Sequence, residues 1–121
     1  MPNVPRRAFV FCLLAPILYA PSAWAHAILL DSAPIDGGRV PAGPVMLKFR
    51  YNSRVDRARS RLTLTGPSKT RIIAPMDAEG PPEFLTATVT LTPGAWVVRW
   101  QVLAVDGHIT RGDVAFTVTG N

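Results

Sequence analysis

The chain has 121 residues, enough for one domain, with 13 Lys and Arg against 8 Asp and Glu for a formal net charge of +5. One cysteine, Cys12, excludes an internal disulfide framework, and the only two histidines, His26 and His108, confine imidazole chemistry to those positions.

Residues 1–25 have the composition of a secretory signal peptide. Arg6 and Arg7 form a short basic region, Ala8 to Ala20 an apolar stretch too short for a stable membrane span, and Pro21 to Ala25 end in the small-x-small pattern Ala23-Trp24-Ala25. Arg6-Arg7-Ala8-Phe9-Val10 is also similar to a twin-arginine export signal, so both export routes stay open. The expectation is a cleaved leader over 1–25 and an exported, periplasmic domain over 26–121 that does not span the membrane. Cleavage removes Cys12, leaving neither a thiolate ligand nor a cysteine nucleophile, and makes His26 the first residue. Lys48, Arg50, Arg54, Arg57, Arg59 and Arg61 crowd one stretch, but export argues against nucleic acid as a partner.

Helical periodicity is nearly absent beyond the leader; runs rich in Val, Leu, Thr and aromatics recur instead, separated by Pro and Gly. Ala27 to Leu30 reads as a first strand, stopped by Asp31-Ser32-Ala33-Pro34 and the Asp36-Gly37-Gly38 turn. Val45 to Tyr51 alternates Val45, Leu47, Phe49 and Tyr51 with Met46, Lys48 and Arg50, which predicts a half-buried strand. Leu62 to Thr65 and Arg71 to Ala74 follow, then a polar loop over Pro75 to Pro82. Phe84 to Leu91 and Ala95 to Val105 flank a Pro93-Gly94 turn; the second reads as the longest strand, with Trp96, Val98, Trp100 and Val102 on one face. Trp96 and Trp100 are expected in the core. Val114 to Val118 closes the series, reached through a turn at Asp106-Gly107, a dipeptide favoured in type I′ hairpins. About seven short strands predict an all-β, antiparallel Greek-key sandwich of immunoglobulin-like or cupredoxin-like type.

The candidate site joins the two ends of this domain. An N-terminal His26 offers an amine and an imidazole from one residue, and the amine needs only to release a weakly held proton near neutral pH. Asp106 and His108 are two apart, so both side chains reach one face of an extended segment. Two imidazoles, one amine and one carboxylate in a tetragonal plane suit Cu(II) better than Zn, Ca or Mg. Met46 and Met76 are isolated, so no dedicated Cu(I) site is expected.

The residues resemble the CopC family of periplasmic copper-binding proteins. The resemblance rests on His26-Ala27, Asp31-Ser32-Ala33-Pro34, Asp36-Gly37 and Val45 to Phe49. It continues through Pro93-Gly94, Trp96, Val98, Trp100 and Val102 to Val105-Asp106-Gly107-His108, Gly112, Phe116 and Val118. It implies a small antiparallel sandwich holding one Cu(II) per mature chain on His26, Asp106 and His108. It also implies a role in copper homeostasis or resistance as carrier or buffer, with a CopD-type inner-membrane partner. Two departures limit it. The Met-rich loop of Cu(I)-binding members is missing, and Arg50-Tyr51-Asn52-Ser53 follows Phe49 where many members carry an acidic residue. Asn52 there can hydrogen-bond but cannot tune charge.

Two other functions compete with the carrier. A histidine-brace copper oxygenase also uses an N-terminal His and a second His, but a chain this short has little room for a polysaccharide platform, so no enzymatic activity is expected. The other rival is an interaction sandwich without metal.

Overall fold

The computed structural model describes residues 26–120; the leader read over 1–25, with Arg6, Arg7 and Cys12, lies outside the described residues. Two sheets pack face to face. A three-stranded sheet has the order β1-β3-β6, and a five-stranded sheet the order β2-β8-β7-β4-β5. The strands are β1 (Leu29–Ala33), β2 (Gly38–Pro41), β3 (Gly43–Tyr51), β4 (Arg61–Thr65), β5 (Arg71–Ile73), β6 (Phe84–Leu91), β7 (Gly94–Leu103) and β8 (Ile109–Thr119). Most connections cross from one sheet to the other, so the all-β sandwich expected from the alternation is the fold observed.

The alternating residues meet between the sheets. Leu47 and Phe49 of β3, Leu85 and Ala87 of β6, Leu62 and Leu64 of β4, and Val98 and Val102 of β7 are fully enclosed. Each large aliphatic or aromatic side chain removed from water in this way contributes roughly 1.5–3 kcal/mol. Trp96 and Trp100 are both core residues, as expected. The Trp96 indole N–H donates to the Thr92 carbonyl at 2.8 Å, and Trp100 meets Tyr51 edge to face with centroids 5.5 Å apart. Enclosure also pushes the Tyr51 phenol far above its ordinary range, since its ionised form would lose hydration.

Several boundaries differ from the pattern reading, each for a local reason. The first strand begins at Leu29 and includes Asp31-Ser32-Ala33, because Arg50 of β3 donates to the Asp31 carboxylate at 2.7 Å across the pair and a polar residue there is satisfied. An eighth strand, β2, runs through Gly38-Arg39-Val40-Pro41, a run whose Gly and Pro read as turn. Its partner is distant: it pairs in parallel with the end of β8. The longest strand is β8, with 11 residues against 10 in β7. Both lie inside the five-stranded sheet, as β3 lies inside the other, and the sheet edges fall to β2, β5, β1 and β6.

The β7–β8 hairpin carries Asp106 and His108, and its base is held by the segment from Val55 to Ser60. Val55 bridges Ala104, the Asp56 N–H donates to the Leu103 carbonyl at 2.8 Å, and the Leu103 N–H donates to the Ser60 hydroxyl at 3.0 Å. The turn is not the two-residue type I′ form. Asp106 does not have a positive φ, and only Gly107, at φ +91°, does. The Gly107 N–H donates to Ala104 O at 2.9 Å, and the Ala104 N–H donates to His108 O at 2.9 Å. This is a three-residue loop, Val105-Asp106-Gly107, ending in a glycine bulge.

Candidate metal centre

His26 reaches the hairpin because the segment behind it is tied down at three points. The Ile28 N–H donates to Asn52 Oδ1 at 2.7 Å, and the Asn52 N–H returns to the Ile28 carbonyl at 3.0 Å. From the other sheet, the Thr110 hydroxyl donates to the Ala27 carbonyl at 2.9 Å, while the Ala27 side chain is buried. Asn52 follows β3 and Thr110 opens β8, so the clamp spans the sandwich. Asn52 therefore has a backbone partner in Ile28. Thr110 carried no sequence signal; its role is visible only once β8 and the N-terminal segment lie side by side.

The result brings together all three side chains singled out as ligands. His26, Asp106 and His108 each offer a ligand atom within 4.8 Å of the others. The two imidazoles stand edge to face with centroids 4.5 Å apart. Asp106 Oδ2 lies 2.7 Å from His108 Nδ1, and Oδ1 accepts the His108 backbone N–H at 3.0 Å. That backbone N–H does most to hold the Asp106 carboxyl below the ordinary carboxylate range, with the His108 ring and the more distant His26 adding to it. The His108 side chain is 61% exposed and that of Asp106 21%, so the cluster opens to solvent at the rim of the sandwich.

Two imidazoles and a carboxylate form a borderline donor set for divalent transition metals; the three side chains alone suit Zn(II) as well as Cu(II). An open position at the rim allows a ligand or a partner to approach without unfolding.

The basic stretch from Lys48 to Arg61 does not form one patch. Arg50 is paired with Asp31 and Arg59 with Asp56, at 2.7 and 3.4 Å. Arg57 clamps the loop before β6, donating to the carbonyls of Ala78, Pro81 and Phe84. Arg61 turns to the outer face of the other sheet.

The family model described as the CopC domain matches residues 29–119. The chain belongs to the CopC family. The matched span includes Asp106 and His108 and begins three residues after His26. Among similar proteins, copper resistance protein C of Pseudomonas syringae pv. tomato is 30% identical, over 93% of this chain and 96% of its own. Protein YobA of Escherichia coli K12 is 30% identical, over 91% of this chain and 92% of its own. The crystal structure of CopC from Methylosinus trichosporium OB3b superposes with a TM-score of 0.72 at 30% identity, over 79% of this chain and 96% of that one. This CopC domain therefore shares the sandwich of its relatives over nearly its full described length.

Proposed function

We propose that this CopC protein is a periplasmic Cu(II) carrier or buffer, binding one ion per mature chain through His26, Asp106 and His108. The observation that carries the reading is the convergence of the chain's only two histidines and Asp106 at one open rim, from opposite ends of the domain. Relatives named for copper resistance point to copper rather than zinc. The leader-like composition of residues 1–25 supports export and a free amine on His26. That amine supplies a third nitrogen, which with the two imidazoles and the carboxylate favours the tetragonal geometry of Cu(II). The ion is cargo: an exposed site with exchangeable donors releases it to a partner by ligand replacement. A CopD-type inner-membrane protein is the partner this reading favours, and the protein itself acts by binding, not catalysis.

The test is Cu(II) titration of the chain beginning at His26, with electron paramagnetic resonance of the loaded form. One equivalent should bind with a nitrogen-rich tetragonal spectrum that is lost in His108→Ala. Adding one residue before His26 should weaken binding sharply, because the amine leaves the chelate. Weak binding insensitive to both changes defeats the proposal.

A further inference from the structure

The two outer faces of the sandwich differ in charge. On the three-stranded sheet, outward Lys48 and Arg50 are set against Asp31 on β1 and against Asp77 and Glu79 of the adjoining loop. Asp77 accepts from the Thr86 hydroxyl at 2.7 Å, which fixes it to that face.

The five-stranded sheet is one-sided. Its register places Arg61, Gln101 and Arg111 in one outward row, Ile73, Thr63, Arg99 and Asp113 in the next, and Arg71, Thr65 and Val97 in a third. Arg39 of β2 extends the same face beside Thr117. The single carboxylate among these outward residues, Asp113, is taken by a two-pronged bond from Arg99 at 2.9 and 3.2 Å. Arg111 gives only its Nε, to Gln101 at 2.9 Å. Among the described residues, Arg39, Arg61 and Arg71 have no side-chain partner. Unpaired like charges spread over a sheet face are costly, and natural sheets meet solvent more cheaply with mixed signs.

We propose that this face docks the protein on an anionic phospholipid bilayer, through Arg39, Arg61, Arg71 and Arg111. Two features favour a bilayer over an acidic protein, since the guanidinium forks themselves match phosphodiester and carboxylate oxygens alike. The arginines are spread from the β2 edge to the β5 edge, with only Arg61 and Arg71 bordering an open trough of about 420 Å³, rather than gathered in one shaped pocket. Exposed aliphatic side chains stand among them, Ile73 and Val97 being 63% and 38% exposed, as on surfaces that settle at the headgroup boundary. Each basic residue beside an anionic leaflet raises partitioning about fivefold, so binding is reversible and sensitive to salt. Asp106 and His108 lie in the β7–β8 turn, outside the rows that carry these arginines. The surface is independent of the metal reading.

The test is flotation of the metal-free chain from His26 onward, which contains every described strand, with vesicles of phosphatidylcholine alone or mixed with phosphatidylglycerol. Binding should require phosphatidylglycerol and be lost at high salt. Arg61→Glu with Arg71→Glu should reduce it about 25-fold or more. Lys48→Glu with Arg54→Glu makes the same change in net charge elsewhere and should reduce it no more than about threefold. His108→Ala should leave it unchanged. Far-ultraviolet circular dichroism checks folding, and Arg61→Gln with Arg71→Gln replaces the reversal if that variant unfolds, with a smaller loss expected. Equal losses in the two charge-reversed pairs, or no binding to the mixed vesicles, overturns the proposal; the second outcome leaves the face to an acidic protein.

Discussion

Asp106 holds His108 twice, by its backbone N–H and by its ring. One carboxylate oxygen accepts the N–H at 3.0 Å and the other lies 2.7 Å from Nδ1. A neutral ring that donates from Nδ1 keeps its lone pair on Nε2, directed away from the carboxylate. Such a carboxylate fixes the ring and raises its basicity as a ligand, and it can also place an oxygen on the ion. Asp106→Asn keeps an acceptor for the backbone N–H but loses the charge. Cu(II) affinity, measured by competition with a chromophoric chelator, should fall about 10–100-fold. A change under about twofold would show that Asp106 neither ligates nor orients.

Acid should unload the site. A carboxyl held below its ordinary range stays ionised as pH falls and gives up its contribution only on passing that lowered value. The imidazoles and the amine bind only when proton-free, so acid competes with the ion for them. Copper occupancy followed by paramagnetic resonance should fall steadily from neutral pH and be lost by about pH 4. Full loading at that pH would contradict a nitrogen-rich ligand set.

Thr110 lies outside the proposed ligand set. Thr110→Val preserves shape and removes the bond to the Ala27 carbonyl, leaving that acceptor unsatisfied. Urea unfolding should show a loss of about 1 kcal/mol. Copper affinity should fall too, since His26 is then tethered chiefly through Ile28 and Asn52. Reduced stability with unchanged affinity would show that the Asn52 clamp suffices alone.

Gly112 is required by the tryptophan opposite. A Cβ there would run into the Trp100 indole, which is packed against Tyr51 and has no room to retreat. Gly112→Ala should destabilise the fold by about 1–3 kcal/mol, read as a lower urea midpoint with an unchanged slope. An unaltered midpoint would mean that β8 shifts freely relative to β7.

Much of this was legible in the residues because burial and alternation are tied together. Val45 to Tyr51 and Trp96 to Val102 alternate so regularly that only one face of each could be internal, and the core between the sheets follows. Strand β2 was not legible, since Gly38-Arg39-Val40-Pro41 owes its extended form to β8, far away in the chain. The hairpin was legible as a turn but not as a type, because Asp-Gly serves both two- and three-residue loops and the choice rests on the strand register. His26, Asp106 and His108 were singled out by their chemistry together with the family resemblance, and they do lie together. The clamp that gathers them was not, because Thr110 and Asn52 are ordinary polar residues until two sheets bring them to one segment. The arginine face was hidden for the same reason: its members come from five strands.

The placement of the long strands also bears on how such a domain survives in a crowded compartment without disulfides. β3, β7 and β8 all lie inside their sheets. The borders of the larger sheet are a three-residue strand and a four-residue one ending in Pro41, and β1 is interrupted by a register shift between Leu29 and Asp31. The remaining border, β6, has part of its backbone taken by Met76 and Asp77. A stray chain looking for a template on which to add a strand finds only short, broken or covered ones. Resistance to amyloid-like self-association is therefore built into the order of the strands.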